Sequence, residues 1–72
     1  MNEHIKLLDV VALTEDVDQH GLVRGQIGTI VEILAPGVYE VEFSDTDGRT
    51  YASISAKAEQ LMILYDRPVR VA

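Results

Sequence analysis

The sequence contains no cysteine and no tryptophan, one phenylalanine, two prolines, and only six basic residues against twelve acidic ones. Without cysteine the chain can form neither a disulfide nor a thiolate metal site, which is compatible with a reducing cytosol. A chain of 72 residues is one domain with a small stability margin. Because aromatic residues are scarce, its core must consist mostly of valine, isoleucine, leucine and alanine, which favour strands.

The acidic excess gives a formal net charge of −6. Such a charge repels phosphate backbones and anionic lipids, so we expect neither nucleic acid nor membrane as a partner. A basic or neutral protein partner is favoured instead. The first ten residues include Glu3 and Asp9 and lack a long apolar run, so we expect no secretory signal and no membrane span. The predicted location is cytoplasmic.

Two alternating runs between Gly25 and Phe43, joined by Ala-Pro-Gly, predict a β-hairpin. The two-residue period of a strand assigns one face of this hairpin to the core, with six residues expected there: Ile27, Val31, Ile33, Tyr39, Val41 and Phe43. The other face is predicted to be acidic and solvated, with two apolar residues among three acids: Glu32, Glu40, Glu42, Ile30 and Leu34.

A first strand is predicted at Leu7–Leu13, a short run with β-branched residues. The polar stretch Thr14–Val23 that follows predicts a surface loop with Val17 and Leu22 as its inward anchors.

Asp-Gly within residues 44–49 predicts a second turn, followed by a strand over Thr50–Ser55. Good helix formers at Ala56–Gln60 have room for about one turn before a last strand over Leu61–Tyr65. The predicted fold is therefore all-β: a five-stranded, closed SH3-like barrel with a single helical turn before the last strand. One domain covers residues 1–72, with residues 1–5 and 66–72 as flexible or edge-pairing tails. A homodimer formed through the tail therefore stays an open alternative.

Four segments resemble a small bacterial and cyanobacterial family of uncharacterised function: Leu-Leu-Asp-Val-Val-Ala-Leu, Gly-Leu-Val-Arg-Gly-Gln-Ile-Gly-Thr-Ile-Val-Glu, Tyr-Glu-Val-Glu-Phe-Ser-Asp-Thr-Asp-Gly-Arg-Thr-Tyr-Ala and Glu-Gln-Leu-Met. The resemblance spans about Lys6–Leu64 and is fairly specific. It implies an SH3-like barrel of unknown role, and it implies no catalytic or binding residues.

Two short motifs are better explained by structure than by ligand binding. Gly25 and Gly28 match the Gly-x-x-Gly spacing of an RNA-clamping loop, but strand residues follow directly, so a tight turn and a close strand approach are favoured. The Asp45–Gly48 segment resembles a calcium loop, yet that alignment puts Phe43 and Ile54 at ligand positions. We therefore interpret it as a hairpin turn.

No catalytic or cofactor-binding arrangement is recognisable. His4 and His20 are sixteen residues apart with no partner at metal-ligand spacing. Glu40 and Glu42 point the same way along one strand, but acid catalysis needs a dry pocket for which so small a barrel has no volume. No nucleophile elbow or phosphate loop is present. We expect no catalytic residue, no cofactor, no metal and no enzyme activity.

The remaining candidate is a protein-interaction surface on the barrel exterior, formed by Ile30, Glu32, Leu34, Glu40, Glu42, Tyr51 and His20. The alternative, that Ile30 or Tyr51 turns inward, stays open because strands in small barrels bend strongly. The function favoured by the sequence is a small non-catalytic module, in the form of an immunity or antitoxin-type binder of a basic protein. An accessory subunit of a larger bacterial enzyme assembly is the alternative. RNA binding ranks third, since basic grooves and stacking aromatics are lacking.

Overall fold

The strands form a meander whose last member crosses back to pair with the first. The computed structural model describes residues 4–70. Its five strands are Val10–Leu13 (β1), Ile27–Ala35 (β2), Val38–Ser44 (β3), Thr50–Lys57 (β4) and Leu61–Ile63 (β5), with single 3-10 turns at Asp18–His20 and Ala58–Gln60. All pairings are antiparallel, and the order across the sheet is β4-β3-β2-β1-β5.

This strand order, with a 3-10 turn before β5, is that of the predicted five-stranded SH3-like all-β fold. The expectation of a closed barrel was wrong, because β4 and β5 are the two edges of the sheet and no pairing joins them within residues 4–70. The second 3-10 turn carries the chain from one edge to the other, and among the described residues β5 pairs with β1 alone. The barrel thus keeps an open seam along β4.

The core lies on the inner face of the curled sheet. Every strand contributes to one buried cluster, which a flat sheet cannot achieve, so the sheet wraps around its own apolar face. The cluster consists of Ile5, Val11, Leu13, Leu22, Ile30, Val41, Phe43, Ile54, Ala56 and Leu61.

The predicted core residues divide between the two strands of the central hairpin. On β3, Val41 and Phe43 are fully buried and Tyr39 packs against the core, as predicted. On β2 the prediction was wrong, because Ile27 and Ile33 are about half exposed and Ile30, expected outside, is fully buried.

β-Bulges explain this error. The pairing of β2 with β3 skips Val31 and Leu34, and the pairing of β3 with β4 skips Tyr51. Each bulge adds one residue to a strand and shifts the alternation by one position. Ile33 pairs with the inward Tyr39, and a count by twos from Ile33 back across the bulge at Val31 therefore assigns Ile27 to the wrong face. All three bulged residues are apolar and exposed, Val31 by 37%, Leu34 by 45% and Tyr51 by 51%.

Gly28 is the second reason why β2 does not look like a core strand. Its position faces inward and is buried, and an added Cβ would lie 2.7 Å from Val41 Cγ1 and 2.9 Å from the carbonyl oxygen of Glu42. The same atom would be 3.0 Å from Phe43 Cε2. Glycine here lets the largest core side chain reach the sheet, as the interpretation of a close strand approach predicted.

The first strand starts later than the predicted Leu7. The backbone N–H of Lys6 donates to Asp9 Oδ2 at 2.8 Å, closing a turn in which Leu8 adopts a left-handed conformation with φ of 71°. The Leu8 N–H then donates to the carbonyl of Ile30. This turn interrupts the predicted strand, so β1 begins only at Val10.

The two polar connections follow their predictions. Val17 and Leu22 exchange backbone hydrogen bonds across the first 3-10 turn, and Leu22 is buried with Val17 packed against the core. In the second turn, Asp45 Oδ1 accepts the N–H groups of Asp47 and Arg49 at 2.9 and 3.0 Å, while Gly48 has a φ of 83°. Both segments are therefore structural connections closed by local hydrogen bonds.

The end segments differ from each other. Ile5, placed by the sequence in a tail, belongs to the core cluster. At the other end β5 stops at Ile63, two residues before the predicted limit, and Asp66–Arg70 is exposed without a strand assignment. Residues 1–3, 71 and 72 of the predicted tails lie outside the described residues. Across the described part of the chain, no helix has the length and apolar character needed to cross a membrane.

Candidate functional site

Three glutamates occupy the outer surface of β2 and β3, and we call Glu32, Glu40 and Glu42 the acidic face. Glu32 and Glu40 are direct cross-strand partners, so their side chains leave the sheet on the same side. Glu42 lies two residues further along β3 and points the same way. The predicted acidic exterior of the hairpin is confirmed at these three positions.

Hydroxyl groups from β4 orient two of these carboxylates. Ser53 Oγ donates to Glu40 Oε2, and Thr50 Oγ1 donates to Glu42 Oε1 at 3.5 Å. Both glutamates are half-buried, whereas Glu32 is exposed. The β4 residues directly opposite Glu40 and Glu42 are Ser55 and Ser53, whose side chains are short and neutral, so the carboxylates stay accessible from that side.

No carboxylate of the acidic face forms an ion pair within residues 4–70, although Lys57 lies two residues from Ser55 on the same side of the sheet. Within residues 4–70, the ion pair present is the exposed one between Arg67 and Asp66. In the same residues, no three acidic or histidine side chains are placed to hold a metal ion. The arrangement is therefore a row of carboxylates without ion-pair partners among residues 4–70, and it is not a convergent ligand set.

Replacing Glu32 by glutamine should stabilise the protein. Like charges directly opposite each other on a sheet cost about 0.2–1 kcal/mol, and the substitution removes one member of the Glu32–Glu40 pair. We expect a rise in Tm of a few degrees at low salt in a thermal melt followed by circular dichroism.

Asp47→Asn is the matched control, because it removes one charge from an exposed turn outside the acidic face. Its Tm should change less than that of Glu32→Gln, and the difference should shrink in high salt, which screens exposed charges. Equal shifts for the two variants would mean that net charge, and not the cross-strand pair, sets the effect.

A second outer region is apolar and was missed by the sequence interpretation. Ala12 of β1 pairs with Met62 of β5 and Ile27 of β2, and both partners are more than half exposed. Val10, two residues from Ala12, is also exposed. We call Val10, Ile27 and Met62 the apolar strip. Val11 and Gly28 are buried and point inward, so Val10, Ala12 and Ile27 beside them in the sequence point outward.

An open cleft of about 360 Å³ adjoins the apolar strip at Met62. Its walls are Ala12, Leu13, Thr14, Arg24, Gly25 and Met62. Arg24 is the sole ionisable residue among them, so the cleft offers no acid and base pair for catalysis.

The other residues of the predicted interaction surface are dispersed. Ile30 is fully buried, so its assignment to the interaction surface was wrong. The alternative, that Ile30 turns inward, is correct. Tyr51 stays exposed, lies 6.4 Å from Phe43 between ring centroids, and its hydroxyl oxygen accepts a hydrogen bond from Gln26 Nε2. Leu34 lies in the second β2 bulge, and His20 in the first 3-10 turn.

The sheet order and the outer glutamates define a small SH3-like all-β domain with an acidic outer face. Residues 7–63 match the family described as "Domain of unknown function (DUF4926)", and the chain belongs to this family. This agrees with the resemblance to an uncharacterised domain family. No curated protein and no solved structure gives a significant match.

Proposed function

We propose that this protein is a non-catalytic interaction module that binds a basic protein through its acidic face. The observation that supports the proposal is the pairing of Glu32 with Glu40 across two strands, with Glu42 beside them and no ion pair to any of the three carboxylates among residues 4–70. A folded chain bears the cost of this repulsion, and cationic side chains of a partner relieve it.

The net charge of −6 supports the same type of partner. An acidic surface accelerates encounter with a basic protein at low ionic strength and slows encounter with nucleic acid. The apolar strip on the neighbouring part of the sheet offers area for a less charged part of the same interface.

A capture experiment with two triple variants tests this function. The face variant, Glu32→Gln with Glu40→Gln and Glu42→Gln, removes three charges from the acidic face. The control variant, Asp18→Asn with Asp47→Asn and Glu59→Gln, removes three charges from exposed residues elsewhere. Each tagged protein is incubated with extract of its native cells at low and at high salt, and the bound material is identified by mass spectrometry and assayed for RNA.

We expect the wild type and the control variant to retain one basic protein at low salt, and the face variant to lose it. High salt should release that protein from the wild type, because exposed charge pairs are screened. Retention of the same protein by the face variant, or recovery of RNA as the bound species, would refute the proposal.

The identity of the captured protein separates the finer forms of this function. A toxin encoded beside the gene for this protein supports the immunity-type form, whereas a subunit of a larger enzyme supports the accessory form. Both forms use the same acidic face.

A further inference from the structure

The free edge of β4 is the feature of the sheet that the proposed function leaves unused. β4 spans Thr50–Lys57 and pairs with β3 on one side, while no strand among residues 4–70 pairs with its other side. Natural proteins usually protect such an edge with proline, charge, a cover or short length. β4 has eight residues, no proline or glycine, and one charged residue, Lys57, at its end.

The hydrogen-bond pattern identifies the backbone groups that face this free edge. The Ala58 N–H donates to the carbonyl of Gly37 at 2.9 Å, so these two residues form a hydrogen-bonded pair in register with Val38 and Lys57. Such pairs alternate along an antiparallel ladder. The N–H and carbonyl groups of Ser53 and Ser55 therefore point away from β3.

Lys57 agrees with this assignment. Its N–H donates to Gln60 Oε1 at 2.9 Å, on the side opposite β3. The side chain of Gln60 thus covers the end of the edge, whereas Ser53 and Ser55 are both exposed. Ser53 and Ser55 therefore offer two N–H groups and two carbonyl groups to an added strand.

The side chains around these two residues select the kind of strand that fits. A residue directly opposite Ser53 or Ser55 would point to the outer surface, which also holds Glu40 and Glu42. An added strand lies two strand spacings, about 10 Å, from β3. Since serine side chains are short, a long basic side chain on the added strand can lean across them toward the carboxylates.

Alternate residues of an added strand would point to the inner side. There they would lie beside Ala52, Ile54 and Ala56, of which Ile54 and Ala56 are buried. Apolar side chains match that position because it lies next to these core residues and apolar surface is stabilised by burial. The fitting segment therefore alternates basic and apolar residues.

We propose that the β4 edge binds an extended, alternating basic and apolar segment of the partner protein as a sixth strand. The inference rests on the proposed function and adds the way in which the partner is held: backbone hydrogen bonds to Ser53 and Ser55 with charge pairing to Glu40 and Glu42. A second copy of this chain fits less well, because pairing two β4 edges brings two acidic domains together.

The test uses a synthetic heptapeptide, acetyl-Thr-Lys-Val-Lys-Val-Lys-Thr-amide, titrated into the full chain labelled with ¹⁵N. Amide chemical shifts report the site, and their concentration dependence reports Kd. We expect the largest shifts at residues 53–57 and slower amide exchange at Ser53 and Ser55. A second peptide carries N-methyl groups on the amides that would face the β4 edge, which belong to alternate residues. It should bind at least about tenfold more weakly, a loss equivalent to one or two backbone hydrogen bonds.

Two protein variants separate this inference from the proposed function. Ser55→Pro removes an edge-facing N–H and leaves the ladder with β3 intact, since proline is tolerated on the free side of an edge strand. Ser55→Ala keeps that N–H and is the matched control. Glu40→Gln with Glu42→Gln removes the charges and keeps the edge.

We expect Ser55→Pro to abolish peptide binding, Ser55→Ala to retain it, and the double glutamine variant to weaken it and reduce its salt dependence. Loss with the glutamine variant but not with Ser55→Pro or N-methylation would refute strand addition and leave the proposed function standing. Loss with Ser55→Pro alone would refute the preference for basic segments. A wild-type dimer in sedimentation that Ser55→Pro dissociates would assign the edge to a second copy and overturn the proposal.

Discussion

Replacing Val41 by aspartate is expected to abolish folding. Val41 is fully buried at the centre of β3, and the new carboxylate would have no cation or donor within the core. Burial of an unpaired charge costs upward of about 4 kcal/mol. A domain of this length has a total stability of roughly 4–11 kcal/mol. Circular dichroism and a thermal melt should show an unfolded chain without a cooperative transition.

Val31→Asp is the matched control for this experiment. It introduces the same side chain on the neighbouring strand, at a bulged residue that is 37% exposed. We expect a cooperative melt with a loss below about 1 kcal/mol, as for most surface substitutions. A cooperative melt of Val41→Asp close to that of Val31→Asp would show that the inner face of β3 is wrongly assigned.

The second large effect is expected from Gly28→Ala, which adds a single methyl group. That carbon would lie 2.7 Å from Val41 Cγ1 and 2.9 Å from the carbonyl oxygen of Glu42, and a backbone oxygen cannot turn aside as a side chain does. Overpacking of this kind costs about 1–3 kcal/mol. Urea denaturation should show a lower midpoint, and Tm should fall by roughly 5–20 °C.

A double-mutant cycle with Val41→Ala identifies the cause of that loss. Trimming Val41 removes the atom closest to the added methyl group, so the double variant should be more stable than the sum of the single effects predicts. For residues in contact, coupling of about 0.5 kcal/mol or more is expected. Strict additivity would mean that the methyl group acts elsewhere, for example on the conformation of β2.

The sequence was most informative where alternation runs without interruption. On β3 the inward Tyr39, Val41 and Phe43 and the outward Glu40 and Glu42 all lie where the two-residue period places them. The irregularities that adjoin this strand insert their extra residue into β2 or β4. A prediction from the two-residue period succeeds on β3 because no bulged residue in this strand interrupts the alternation of its side chains.

On β2 the same method failed for physical reasons that no propensity encodes. The bulges at Val31 and Leu34 depend on how β2 must bend to follow β3, which is a property of the folded sheet. Gly28 occupies an inward position, but glycine has no side chain, so this position does not appear in the apolar pattern of the sequence. Ile30 was consequently placed on the interaction surface although it belongs to the core.

Turns with their own local chemistry were predictable. Pro36 followed by Gly37 suits a tight hairpin turn, and Gly37 has a φ of 76°. The carboxylate of Asp45 closes the next turn by accepting two backbone N–H groups. The left-handed Leu8 was not predictable, since leucine seldom adopts a positive φ and the N–H of Leu8 bonds to the distant Ile30 across the sheet.

In the candidate site, the acidic face was easier to predict from the sequence than the apolar strip. The acidic face follows from the hairpin alone, because glutamates on neighbouring strands share one side of the sheet. The apolar strip needs the pairing of β1 with both β2 and β5, which brings Ile27 and Met62 to either side of Ala12. That long-range pairing cannot be inferred from any one segment.

The alternation along β3 also governs how this family can diverge. Two interleaved sets of residues share one strand: Val41 and Phe43 hold the interior, while Glu40 and Glu42 meet the surroundings. Substitution within the outer set leaves the interior unchanged, so the exposed surface can vary without loss of the architecture. Insertion or deletion of one residue in β3 that no bulge absorbs would exchange the two sets beyond that point, and one before Phe43 would turn its phenyl ring toward water.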